Sequence, residues 1–327
     1  MRPLEGPTKF SAGWHFCQVA ASLWVLGLLL VLVGCATPPA QQTFVDEPRS
    51  GPVPPGTTGR PVVALVLSGG SARGFAHIGV ITALEQAGIS PDLVVGSSVG
   101  SIVAAAYASG MNARELVNAA RAMDSTTLTD FTIPNLGQPF IRGELGFVRG
   151  QRLQAYVNRL VGNRALEALP RRLAVVATDL QSGQTVVFTE GNTGLAVRAS
   201  SAIPGVFVPP LIRGRLYMDG QVSSPVPVTA ARTLGADIVI AVDATFPPDH
   251  AEISNTVDVL FQSITIATQR IKDYELGLAS IVIRPDIKTS GQLSLSDREM
   301  LMAEGERAAR AALPELFKVL GLTNLKP

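Results

Sequence analysis

Uninterrupted apolar runs, rich in valine, isoleucine and leucine, recur along this chain and are separated by stretches with a longer, helical spacing of apolar residues. Val62–Leu67 is the first such run, and Leu93–Val95, Leu173–Ala177, Thr185–Phe188, Leu216–Met218, Ile238–Val242 and Ile281–Ile283 read as further strands. A strand with one wet face alternates apolar with polar residues, so continuous apolar runs predict strands covered on both faces. The spacing between them predicts helices over Phe75–Ala87, Ser101–Ser109, Ala113–Met123, Gln151–Val161, Pro227–Leu234, Thr256–Glu275 and Asp297–Leu320. Strands alternating with helices define an α/β chain whose mostly parallel central sheet is sandwiched between helices. Residues 124–150 break the pattern: Phe, Pro, Gly and Thr mix without helical periodicity. A segment of that length in a compact domain reads either as a lid or as a disordered loop.

The first 60 residues follow different rules. Arg2 and Lys9 precede an apolar stretch from Val19 to Val33, shorter than the roughly 20 residues that span a bilayer. It ends in Leu32-Val33-Gly34-Cys35, which resembles the lipobox of bacterial lipoproteins. That resemblance implies a signal peptide over 1–34, cleavage before Cys35 and acylation of its thiol; an uncleaved membrane anchor is the alternative. Residues 35–60, rich in Pro, Gly, Thr and Gln after the cysteine, read as an extended tether. The folded domain is expected over 61–320, with 321–327 as a tail. Ala36 stands where an aspartate would signal retention at the inner membrane, so the lipoprotein sorting rule leans to the outer membrane, facing the periplasm.

Composition narrows the function. Hydrophobic residues make up 46% of the chain and charged residues 16%, proportions of a chain that builds a core. A net charge of +1, without any basic block, gives no electrostatic reason for a nucleic-acid partner. Cys17 and Cys35 are the only cysteines, so the processed protein would have no thiol for catalysis or for zinc.

The chemistry concentrates at two turns. Gly96-Ser97-Ser98-Val99-Gly100 is a G-x-S-x-G pentapeptide between a strand and a helix, the residue order of a nucleophile elbow. Gly96 and Gly100 would let the chain fold back tightly, and the following helix N-terminus would favour negative charge beside Ser98. Upstream, strand Val62–Leu67 runs into Ser68-Gly69-Gly70-Ser71-Ala72-Arg73-Gly74. A dinucleotide loop is poorly matched, because its middle glycine falls on Ser71 and only Asp92 could meet the ribose. A phosphate loop is also poorly matched, since Phe75-Ala76 replace the lysine and hydroxyl. The third reading is an oxyanion hole, in which backbone amides of Gly69 to Gly74 converge on a developing anion while Arg73 holds the loop or adds charge.

A nucleophilic serine needs a proton acceptor. His15 would leave with the signal peptide, His77 lies in a helix among apolar neighbours, and His250 sits in a polar loop. No histidine follows residue 250, where a Ser-Asp-His hydrolase would place its base. Asp219, at the end of the short strand Arg215–Met218 and directly before Gly220, is the best-placed carboxylate and Asp179 the runner-up; either could serve if burial raised its proton affinity, and either could instead be a turn former.

Taken together, the loop Gly69–Gly74, the elbow Gly96–Gly100 and the turn Asp219-Gly220 resemble, in order, the motifs of bacterial patatin-like phospholipases. Ala177-Thr178-Asp179-Leu180 and Ala199-Ser200-Ser201-Ala202-Ile203-Pro204 are similar to family segments as well. The resemblance covers about residues 61–320. It implies a three-layer α/β/α patatin-like fold and a Ser-Asp dyad, with Ser98 as nucleophile and Asp219 as base. It also implies oxyanion donors around Gly70 and Ser71 assisted by Arg73, a membrane lipid as substrate, and no metal or cofactor. Two positions depart from the family pattern: Ser71 stands where a third glycine is common, and Gln221 follows Asp219-Gly220. The expected protein is a lipid-anchored phospholipase A or lysophospholipase; a lipid-binding or envelope-assembly protein without turnover is the alternative.

Overall fold

Val63–Leu67 forms β1, an unbroken VALVL run whose five residues are all buried. It leads through a 3₁₀ turn, Ser71–Gly74, into α1 (Phe75–Gln86). There follow β2 (Leu93–Ser97), α2 (Val99–Ala108), α3 (Ala113–Ala122), α4 (Gln151–Leu160), β3 (Arg172–Asp179), β4 (Thr185–Phe188) and α5 (Thr193–Ser200). The chain continues with β5 (Leu211–Ile212), β6 (Arg215–Asp219), α6 (Val228–Thr233), β7 (Ile238–Val242), α7 (Thr256–Gly277), β8 (Ile281–Ile283) and α8 (Arg298–Val319). The computed structural model describes residues 47–51, 59–124, 145–248, 253–254, 256–287 and 295–322. Cys35 and the apolar run before it, His15, His250 and residues 125–144 of the expected lid lie outside the described residues.

One sheet runs in the order β5-β6-β3-β2-β1-β7-β8, with β4 also pairing to β3. β1, β2, β3, β7 and β8 are mutually parallel. β4, β5 and β6 enter through antiparallel pairs, β3–β4, β3–β6 and β5–β6. Alternate residues of β1 feed two cores. Val63, Leu65 and Leu67 pack with Val80, Ile81 and Leu84 of α1 and Leu301 of α8. Ala64 and Val66 pack with Val228 and Ala231 of α6 and Leu276 of α7. Helices on both faces explain why the strands read as continuous apolar runs. The sheet is therefore mixed and mostly parallel, as expected.

Two segments differ from the sequence reading. α5 was not expected; Asn192 caps it by accepting a 2.7 Å bond from Leu195 N. Part of the expected tether also lies against the domain. Arg49 N and Glu190 O are 3.0 Å apart and Ser50 Oγ donates to Val187 O, so the segment runs along the outer edge of β4. Covering an open strand edge in this way removes unpaired backbone groups from solvent.

The closest helix contact is set by glycine. A methyl group added at Gly79 of α1 would fall 1.8 Å from Met302 O, and one added at Gly305 of α8 would fall 1.9 Å from Ala76 O. No side-chain motion relieves a clash with backbone. Gly79→Ala is expected to destabilise the domain by about 2 kcal/mol or more, the range of overpacking. Gly277→Ala, where the methyl meets open space, should be neutral or slightly stabilising. Thermal unfolding of the two variants checks the contrast.

Candidate active site

The register of the sheet brings two turns together. β1 and β2 pair Leu67 with Gly96, so the loops that follow, starting at Ser68 and Ser98, leave the same edge side by side. β2 pairs Ser97 with Val176 of β3, and the next residue of β3, Ala177, pairs with Asp219 of β6. Ser98 and Asp219 therefore reach the same level of the sheet. β6 runs against β3, and this direction carries the last residue of β6 inward, toward Ser98.

The local chain at Ser98 folds back sharply. Ser98 has φ 52 and ψ −129, a conformation that side-chain-bearing residues rarely adopt, and it caps α2. Gly100 is required by close approach: a methyl there would sit 2.3 Å from Leu67 O and 2.5 Å from Ser68 O. Three hydrogen bonds hold the turn. Ser98 N donates to Ser200 Oγ at 2.9 Å, Ser200 Oγ donates to Val176 O at 2.5 Å, and Ser101 Oγ donates to Ser98 O at 2.6 Å. Ser200 is a residue to which the sequence assigned no role. Its signal was Asn192 as a helix cap three residues before the apolar Leu195-Ala196-Val197 run, of which Ala196 and Val197 are buried.

Ser98 Oγ donates to Asp219 Oδ2 at 2.6 Å. The other carboxylate oxygen, Oδ1, accepts 2.8 Å from Gln221 N. Asp219 is 4% exposed and Ser98 7%. Burial pushes the Asp219 carboxyl up to about 7, opposed by the Ser98 and Gln221 hydrogen bonds. Asp179 is different. Arg215 embraces its carboxylate and the Gln181 and Ser182 amides bond it at 3.0 and 2.9 Å, which holds it well below the usual carboxylate range. Asp219, not Asp179, shares a hydrogen bond with Ser98. His77 is wholly buried, its Nε2 2.9 Å from Ser68 O, and burial lowers it to about 4.

The glycine loop divides its tasks. Gly69 N is already bonded to Pro225 O at 3.1 Å, and Gly74 packs against the Val99 side chain. Gly70 has φ 148, and Ser71 takes φ 52, the left-handed region where the family's common glycine would be unstrained. Arg73 is buried and turned toward β7 and β8: Nε donates to Ala244 O at 3.0 Å and Nη1 to Ile287 O at 3.1 Å, while the guanidinium stacks over Phe246. Of the two roles open to Arg73, this geometry supports holding the loop. It does not support the added positive charge expected at the oxyanion, because the guanidinium donates to carbonyls at the far side of the loop.

The patatin-like phospholipase family profile matches residues 65–232, and the chain belongs to that family. Family membership implies a lipid ester hydrolase. An uncharacterized NTE family protein of Mycobacterium tuberculosis is 41% identical over 182 residues, 56% of this chain and 49% of that protein. The chain thus spans about half the length of such relatives. Patatin-like phospholipase domain-containing protein 6 of Mus musculus is 34% identical over 201 residues, 61% of this chain and 14% of that protein. Among solved structures, VipD from Legionella pneumophila shares the fold, with a TM-score of 0.51 and 15% identity over 85% of this chain and 71% of that one.

A carboxyl group more easily protonated in the fold than in the open chain lowers stability as pH rises. Between about pH 4 and 7 the folded state binds the extra proton at Asp219, so this contribution falls across that window and is flat above it. Glu275, buried and also pushed up to about 7, adds a parallel loss. Asp219→Asn removes only the first. It should be more stable than the unsubstituted protein by a few kcal/mol at pH 8, with the gap closing by pH 4. Denaturant midpoints across that pH range measure the difference.

Proposed function

We propose that this protein is a membrane-anchored serine acyl-ester hydrolase of the phospholipase A or lysophospholipase type, working through a Ser98–Asp219 dyad. The observation that carries the reading is the 2.6 Å hydrogen bond from Ser98 Oγ to a buried carboxylate with raised proton affinity. As Ser98 Oγ attacks the ester carbonyl, its proton passes to Asp219 Oδ2 and the carbonyl oxygen becomes an oxyanion. Amides of Gly70 and Ser71, in the loop that leaves the sheet edge beside Ser98, would receive this oxygen, and the N-terminus of α2 would add its dipole. Asp219 then protonates the departing alcohol, leaving acyl-Ser98. In the second half Asp219 takes a proton from water as its oxygen attacks the acyl carbon; collapse of the intermediate releases the fatty acid, and Asp219 returns the proton to Ser98 Oγ.

A base with a pKa near 7 is half deprotonated at neutral pH, close to the optimum for moving a proton both ways. Catalysis by a carboxylate therefore requires the desolvation seen at Asp219. Acylation of Cys35 would keep the domain at a bilayer and raise the local lipid concentration. The envelope of a bacterium, at the outer membrane facing the periplasm, is the site that the sequence of the leader favours.

Activity on phospholipid and aryl-ester substrates should fall by at least about 10³-fold in Ser98→Ala and Asp219→Asn, the scale of losing a nucleophile or its base. A fluorophosphonate probe should label the unsubstituted protein and leave Ser98→Ala unlabelled. The rate, kcat/KM, should rise with pH through about 7 as Asp219 loses its proton. Turnover that survives in Ser98→Ala removes the nucleophile assignment, and absence of labelling with intact folding favours a lipid-binding protein. Cys35→Ser should abolish acylation and release the chain from the membrane fraction; normal processing of that variant rejects the anchor.

A further inference from the structure

The carboxyl edge of the sheet holds a recess that the hydrolytic steps do not use. It opens where the loop after β7 meets α7, and Gln221, Thr245, Phe246, Thr268, Gln269 and Lys272 line it. Most of its lining side chains carry a hydroxyl, amide or ammonium group able to hydrogen-bond, and Lys272 is the one charged residue among them. An acyl chain gains little from such walls, whereas an oxygen-rich anion finds donors there.

The donors are set in place. Lys272 Nζ lies 3.3 Å from Thr245 Oγ1, whose own proton goes to Asp243 Oδ1 at 2.7 Å. Thr245 therefore accepts one N–H of the ammonium, and two remain. Among the described residues no carboxylate lies within ion-pairing distance of Lys272; Asp243, behind Thr245, faces Arg284 at 3.5 Å. Gln221 connects the recess to the reacting centre. Its backbone N–H bonds Asp219 Oδ1, and its side chain lies against Gly69, where an added methyl would meet Oε1. In a glycerophospholipid only the glycerol backbone separates the phosphate from the scissile ester. Gln221, bonded to the carboxylate that accepts from Ser98, is therefore within reach of the phosphate of a lipid whose ester carbonyl meets Ser98.

We propose, on the reading of this protein as a lipid ester hydrolase, that the recess between Gln221 and Lys272 binds the phosphate of a glycerophospholipid substrate and selects it over neutral acylglycerols. The residue that departs from the family's aspartate motif, Gln221, then supplies an amide at the boundary between scissile ester and headgroup.

The test uses the detergent-solubilised full chain with phosphatidylcholine and the matched diacylglycerol at equal mole fractions in mixed micelles. Lys272→Met should lower the ratio of phospholipid to diacylglycerol kcat/KM about tenfold, the loss expected for one charge-assisted hydrogen bond. The change should appear in KM, and Lys272→Arg should restore most of the ratio. Inorganic phosphate should compete with phosphatidylcholine and not with diacylglycerol. An unchanged ratio in a folded Lys272→Met protein overturns the proposal, as does a parallel fall on both lipids. Phosphate binding without any effect on phospholipid turnover identifies a free-anion site and also overturns it. If the unsubstituted protein cleaves neither lipid, the hydrolase reading fails by itself. Binding of Ser98→Ala to the two kinds of micelle then still decides the subsite, which requires a preference for phosphatidylcholine that Lys272→Met removes.

Discussion

The carboxylate of Asp219 is kept from water while touching a serine whose own backbone is strained, and much of the surrounding structure serves to hold that pair together. Removing a carboxylate from solvent is unfavourable unless hydrogen bonds or a counter-charge offset it. Among the described residues two hydrogen bonds reach this carboxylate, from Ser98 Oγ and Gln221 N. Left-handed backbone at Ser98 and Ser71 adds a cost of about 1–3 kcal/mol each. A domain with apolar cores on both faces of its sheet can absorb these costs; a small domain with one core would not.

The mixed direction of the sheet is part of the same constraint. Parallel strands deliver their following loops to one edge, which places the glycine loop beside the elbow. They cannot bring a third side chain inward from beyond the edge. β6 does so by running against β3, and its register with Ala177 stops Asp219 level with Ser98. Thr178 Oγ1 and Ala202 O hold the Asp219 backbone at 2.9 and 2.8 Å, so the position of the carboxyl group is set by strand pairing as well as by the turn.

Strands and helices were legible because each element carries its own period, and the glycine loop and elbow because each is contiguous in sequence. What escaped depends on residues distant along the chain. By its place at a strand end Asp219 ranked above Asp179 in the sequence, but the reason the two carboxylates differ was not legible there. They differ because antiparallel register sets Tyr217 opposite Asp179 and brings Arg215 onto that carboxylate, leaving Asp219 without a cation. Ser200 acts on Ser98 N from a short helix with a glycine inside it, a weak periodic signal. Gly79 and Gly305 look like ordinary weak points of two helices until the helices cross there. The Arg49–Gly51 stretch reads as linker by composition, and only its hydrogen bonds to residues 187–190 show that it belongs to the folded unit.

The distribution of charge around the dyad follows from the chemistry proposed for it. A guanidinium beside Ser98 would stabilise an oxyanion, but it would also lower the proton affinity of Asp219 and leave a weak base at neutral pH. Arg73 instead sends its charge to Ala244 O, Ile287 O and the face of Phe246, and the shift at Asp219 arises from burial with no arginine opposing it. Neutral donors, the loop amides and the N-terminus of α2, can stabilise a developing anion while perturbing the carboxylate much less than a full charge would. A serine hydrolase that uses a carboxylate in place of histidine has to keep cations away from its base, and the outward turn of Arg73 meets that requirement while the same side chain ties the glycine loop in place.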